Sequence, residues 1–123
     1  MIRPTFLIAE IEPPDGLSAR KLVLETAKFN VLTAYSLEEA LELVNKFPQV
    51  NAMVLHATIC GSQCQNVIDD IRRRKPKLTL IVITPRHELR FENVDHHVSS
   101  YEPQELLDLA RSLFGDPREL KSA

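Results

Sequence analysis

The sequence predicts a doubly wound α/β domain built on a five-stranded parallel sheet. Its hydrophobic period switches repeatedly between short apolar runs and helical faces, which calls for strands and helices in alternation. Alternation of that kind implies right-handed crossovers and helices on both faces of one sheet. The length of 123 residues suits a single domain with one core. Composition is that of an ordinary globular protein, with 44% hydrophobic and 26% charged residues, and the formal charge of -2 gives no general attraction to nucleic acid or to an anionic membrane.

The elements follow in order. Thr5 to Ala9 is a short apolar run ended by the polar loop from Glu10 to Gly16, so it reads as a buried strand. Ser18 caps a first helix, in which Ala19, Leu22, Val23, Thr26 and Ala27 form the expected buried stripe while Arg20, Lys21, Glu25 and Lys28 face water. Val31 to Ala34 makes a brief second strand. Ser36 with Glu39 is a capping box that opens a second helix through Leu37, Ala40, Leu41 and Val44, ending before Pro48. Ala52 to Leu55 or His56 is the third strand. Val67, Ile68 and Ile71 mark a third helix, closed by Arg72, Arg73, Arg74 and Lys75, whose charge complements the helix dipole. Leu78 to Ile83 is nearly continuous in apolar residues, as a central strand covered on both faces should be. Pro103 and Glu105 open the last helix, Leu106, Leu107, Ala110, Leu113 and Phe114 form its apolar face, and Gly115 stops it. Residues 117–123 read as a tail or the start of a linker.

Five phrases carry a family likeness: FLIAEIEPP at the first strand end, VLTAYSLEEALELV, AMVLHATICG, IVITP, and SSYEPQELL before the last helix. Val31 and Ala34 followed by Glu39, Ala40 and Leu41 are the most specific part. Over roughly residues 4 to 115 the chain resembles the receiver domain of two-component response regulators. That likeness implies a flavodoxin-like, receiver-type sheet over residues 1–116.

It also implies a set of groups at the carboxyl edge of the sheet, where open α/β folds place their chemistry. A receiver carries a phosphorylatable Asp after the third strand, an acidic pair for Mg²⁺ after the first, a hydroxyl after the fourth and a Lys before the last helix. Position by position, the Asp falls on His56, the acidic pair on Glu10 and Ile11 with Glu12 beside them, the hydroxyl on Thr84, and the Lys on Ser100 or Ser99 followed by Tyr101. An imidazole forms no acyl phosphate, and a divalent ion loses its central carboxylate. The segment from Pro85 to Ser100 also leaves few residues for a fourth crossover helix, so a short turn or an irregular stretch is expected there.

The resemblance therefore points to a degenerate receiver, a pseudo-receiver without acceptor chemistry. Its expected role is a phosphorylation-independent protein-interaction module of a bacterial signalling or regulatory pathway, not an enzyme, and no cofactor is expected. A histidine kinase or an effector is the partner class implied, self-association as a homodimer stays open, and neither nucleic acid nor membrane is expected. Phe91, Val98, Tyr101 and the last helix form the expected contact surface.

A second class of function starts from His56, Cys60 and Cys64, a set from which a metal or redox sensor could be built. Their spacing differs from the Cys-x-x-Cys pairs of zinc sites, and Cys64 reads more simply as the opening of a helix. His96 and His97 read as the entrance to the fifth strand. Two cysteines are too few for a disulfide framework and fit a reducing compartment. No apolar run approaches the about 20 residues of a membrane span, and Met1 to Thr5 lead directly into a strand, so a cytoplasmic location is expected.

Overall fold

A computed structural model describes residues 3–13, 18–84, 90–99 and 102–118. Strands β1 (Thr5–Ala9), β2 (Asn30–Ala34), β3 (Ala52–His56), β4 (Thr79–Thr84) and β5 (His96–Ser99) form one parallel sheet in the order β2-β1-β3-β4-β5. Helices α1 (Ala19–Thr26), α2 (Leu37–Lys46), α3 (Cys64–Arg74) and α4 (Pro103–Phe114) cover it. The register aligns Ala9 with Leu55 and His56 with Ile83, so β1, β3 and β4 end side by side.

Two apolar layers sandwich the sheet. On one side Leu24 of α1, Ala27 at its C-cap and Leu106, Leu107 and Ala110 of α4 pack on Phe6, Ile8, Val54 and Ile81. Phe6 meets Phe29 and Phe114 edge to face at 5.2 and 5.5 Å between ring centroids. On the other side Ala40 and Val44 of α2 and Cys64, Ile68 and Ile71 of α3 pack on Leu7, Met53, Leu55, Leu80 and Val82. β1 is buried along its whole length, which is why its run carries no polar alternation.

The predicted caps hold. Ser18 Oγ accepts from the Lys21 amide, Ser36 Oγ accepts from the Glu39 amide, and the Glu39 carboxylate reaches back to the Tyr35 amide. Gly115, at φ 78°, ends α4.

Two helix faces differ from the expected stripes. In α1 the inward residues are Arg20, Leu24 and Ala27, with Val23 at the margin, while Leu22 stands 64% exposed and Ala19 and Thr26 face water. The stripe is rotated because Arg20 turns into the molecule, and Leu24 and Ala27 follow it at i+4 and i+7. In α4 the apolar face narrows at its end, where Leu113 is 37% exposed.

The connection from β4 to β5 contains no helix among its described residues, 90–95. Instead α3 holds it with three side chains spaced along one face. Gln65 exchanges two hydrogen bonds with the backbone of Glu92, at 2.9 and 3.0 Å. Asp69 accepts from the Asn93 amide group at 2.9 Å. The Arg72 guanidinium donates to the Asn93 and Leu78 carbonyls and to Asp95, whose carboxylate also accepts from the Leu80 amide at 2.7 Å. Asn93 takes a left-handed conformation, φ 65°, that a short amide side chain tolerates. Beneath this clamp Phe91 and Val94, both partly buried, pack against the apolar layer on the α3 side of the sheet.

Candidate functional site

Three strand ends build the mouth of the sheet. Glu10 follows β1 and is drawn in by a backbone bond from its amide to the Ala34 carbonyl. His56 is the last residue of β3, and the buried Thr84 is the last of β4. Ser18 and Arg20 reach into the mouth from the start of α1.

The Glu10 carboxylate is buried and fully engaged. Ser18 Oγ donates to Oε1 at 2.8 Å, while Arg20 Nη2 sits 3.1 Å from Oε2. Ser18 thus caps α1 and fixes the carboxylate at once. The side chains of Glu10 and Arg20 are only 3% and 17% exposed, so the mouth carries an internally neutralised ion pair. Ile11 and Glu12 both point to solvent, which corrects the expectation that Glu12 belongs to a remnant acidic pocket. Backbone direction explains it, since the chain leaves the sheet immediately after Glu10.

His56 is half-buried beside this pair. Its Nδ1 accepts from the Thr58 amide at 3.3 Å and faces Thr58 Oγ1 at 2.7 Å. An amide can only donate, so Nδ1 carries no proton and the ring is the neutral tautomer protonated at Nε2. Burial lowers the His56 pKa, the nearby Arg20 charge lowers it further, and Glu10 opposes both in part.

After His56 the chain makes two 3₁₀ turns, Ala57–Ile59 and Gly61–Gln63, before α3. Cys60 and Cys64 are joined by a disulfide across this loop, with Cα atoms 4.9 Å apart. The expectation of two unlinked thiols is therefore corrected. Four-residue spacing on a turn entering a helix brings the two side chains onto one side, which a count of cysteines does not reveal. His56 is not joined to them as a ligand set, and the described residues contain no group of three or more His, Cys, Asp or Glu side chains able to hold a metal.

The mouth does not fit the Mg²⁺ that the resemblance implies. Such an ion requires several oxygen ligands in near-octahedral array. Here the one buried carboxylate has both oxygens engaged, a guanidinium occupies its open side, and an imidazole stands at the acceptor position.

β5 begins at His96, as expected. His97 Nε2 accepts from the Phe91 amide at 3.1 Å, and the two rings stack at 6.4 Å. Burial and then the Arg90 charge lower the His97 pKa. Val98 is buried under α4, packed with Leu106 and Leu107, so it is core and not contact surface. Strand alternation explains this, because His97 and Val98 face opposite sides of the sheet. Ser100 and Tyr101 lie outside the described residues, as does the side chain of Ser99.

Sequence reasoning missed Arg20. The available signal was its placement four residues before Leu24 on the helix that follows a lone buried Glu.

No family model matches the chain, and no curated protein matches it. Among solved structures the neighbours include response regulator receiver domains. One from Clostridium thermocellum superposes with a TM-score of 0.76 at 17% identity, covering 95% of this chain and 98% of that one. The response regulator TrrA from Thermotoga maritima, solved in complex with Mg²⁺ and BeF, gives 0.71 at 22% identity, covering 89% and 98%. The chemotaxis response regulator CheY4 of Vibrio cholerae gives 0.76 at 13% identity, covering 91% and 99%. The chain therefore has the fold of response regulator receiver domains.

Proposed function

We propose that the chain is an atypical receiver-like module that binds protein partners without being phosphorylated, within two-component-type signal transduction or transcription regulation. The observation that carries this reading is the Arg20–Glu10 pair beside His56. The acyl-phosphate route of receiver domains needs a carboxylate nucleophile and a metal to offset charge on the phosphoryl oxygens. In this mouth an imidazole replaces the nucleophile, and a fixed guanidinium neutralises the carboxylate that a metal would use.

The clamped connection at residues 90–95 supports a constitutive surface. A loop tied at Glu92, Asn93 and Asp95 by Gln65, Asp69 and Arg72 would offer a partner the same face without a switching step. The partner is a protein, with a histidine kinase or an effector as the class the fold suggests. Phe91, Tyr101 and the exposed side of α4 form the proposed contact.

Incubation with acetyl phosphate and Mg²⁺ tests the reading. Intact-mass measurement should find no product heavier by about 80 Da, the mass of one phosphoryl group. A stable adduct of that mass would overturn it.

A further inference from the structure

We infer that Cys60 and Cys64 form a reversible dithiol/disulfide couple, exchanged by low-molecular-weight thiols, whose state sets the order of the loop following His56. The inference is independent of whether the mouth accepts phosphate.

Placement is the first argument. Cys60 closes the first 3₁₀ turn and Cys64 is the first residue of the 11-residue α3, so the bond staples the loop to a helix end. These are the chain's only cysteines. A bond closing so short a ring constrains the unfolded chain least, and it cannot act as a global staple. Its effect is local.

The fold accommodates both states. The Ala57 carbonyl lies 3.5 Å from Cys60 Sγ and 3.2 Å from Cys64 Sγ, where two thiols would each find an acceptor. Reduction thus strands no buried donor. Ala57 and Thr58 directly follow His56, and the Thr58 amide is its hydrogen-bond partner, so a change of loop order reaches the imidazole. Gly61, at φ 54° with open space around it, supplies a backbone pivot within the ring.

The exchange chemistry has a direction. A thiolate RS⁻ attacks the Sγ of Cys60, the less deeply buried residue of the two at 7% against 1% exposure for Cys64. The S–S bond breaks, and Cys64 leaves as a thiolate at the N-terminus of α3, where the helix dipole stabilises negative charge. A second RS⁻ attacks the small-molecule sulfur of the mixed disulfide, releasing the Cys60 thiolate and RSSR. The two thiolates take up the two protons originally carried by RSH. Overall, one protein disulfide and two RSH give two protein thiols and one RSSR, a two-electron reduction, and excess RSSR reverses it. In a reducing compartment such a pair rests as the dithiol and is oxidised transiently, which is how disulfides there are mostly used.

Equilibrating the folded protein in glutathione buffers of graded ratio, followed by alkylation and intact-mass measurement, tests the couple. Alkylated thiols should pass from none to two while the far-UV circular dichroism stays native. Amide exchange at residues 58–63 should be at least about tenfold faster in the reduced form. A Cys64→Ser variant should collect one glutathione on Cys60, whereas Cys60→Ser should stay unmodified. Two labels even in oxidised glutathione, labels appearing only on unfolding, or loop exchange equal in both forms would each overturn the inference. The wild-type titration decides it even if a variant fails to fold.

Discussion

Two arginine–carboxylate pairs in this small domain differ chiefly in the burial of the carboxylate. Arg20 and Glu10 are 17% and 3% exposed and close the mouth, whereas Arg72 and Asp95 are 23% and 44% exposed and tie a loop to α3. The chemistry is the same, and burial separates the consequences. Removing one partner of a buried pair leaves an uncompensated charge in low dielectric. The outer pair is one strand of a clamp that includes Gln65, Asp69 and three carbonyls, so its loss is shared. One arginine neutralises the buried carboxylate at the mouth, and the other ties a connection to α3.

The largest effect should follow from breaking the inner pair alone. Arg20→Gln should destabilise the fold by about 3 kcal/mol, with most of that recovered in the Glu10→Gln/Arg20→Gln double variant. Urea unfolding of the three proteins measures it, and a single-variant loss under about 1 kcal/mol would place the inner pair with ordinary surface bridges.

Breaking the outer pair should cost less. Arg72→Gln should lower stability by about 2 kcal/mol, because it removes charged hydrogen bonds to several acceptors. This pair should also be sensitive to acid. Burial raises the Asp95 carboxyl, but the Leu80 amide, then the hydrogen bond and charge of Arg72 and the charge of His96, outweigh it and hold its pKa below the usual 3.8. The folded state therefore binds its proton less readily than the unfolded chain, and the contribution is complete above pH 3.8 and lost as pH falls through the folded value. Thermal unfolding of wild type and Asp95→Asn should differ at neutral pH and converge in acid; a constant gap would deny the linkage.

The smallest effect concerns His56. Its imidazole should titrate below 6.5, and Arg20→Gln should move the midpoint upward by removing one of the two lowering causes. Because the folded value is depressed, stability should decline as pH drops below 6.5 and should do so less in His56→Asn. Following the ring signals by NMR against pH checks the first point, and a wild-type midpoint at or above 6.5 would contradict the described surroundings.

Much of the architecture was legible in the sequence, because it depends on local chemistry. β1 begins and ends where its apolar run does, and the Ser36–Glu39 box, Pro103 and Gly115 mark helix ends through hydrogen bonds and φ restrictions that act within a few residues. The site was less legible. Helical periodicity assigns Arg to water by its charge alone, whereas Arg20 turns inward because Glu10, ten positions away, is buried. Leu22 is displaced outward for the same reason. The clamp on residues 92–95 joins positions more than twenty apart, and no local pattern encodes it. What the sequence showed at the mouth was an imidazole at the end of the third strand; the guanidinium beside it needed three dimensions.

The Arg20–Glu10 pair also bears on whether a metal site could be built at the mouth. A His56→Asp substitution alone would set a second carboxylate beside a guanidinium already fixed on Glu10, and a divalent ion would have to compete with that arginine for its ligand. Removing Arg20 first would leave Glu10 buried without its counter-charge. Neither single step gives a mouth with two open carboxylates, so positions 56 and 20 would have to change together before a divalent ion could be held there.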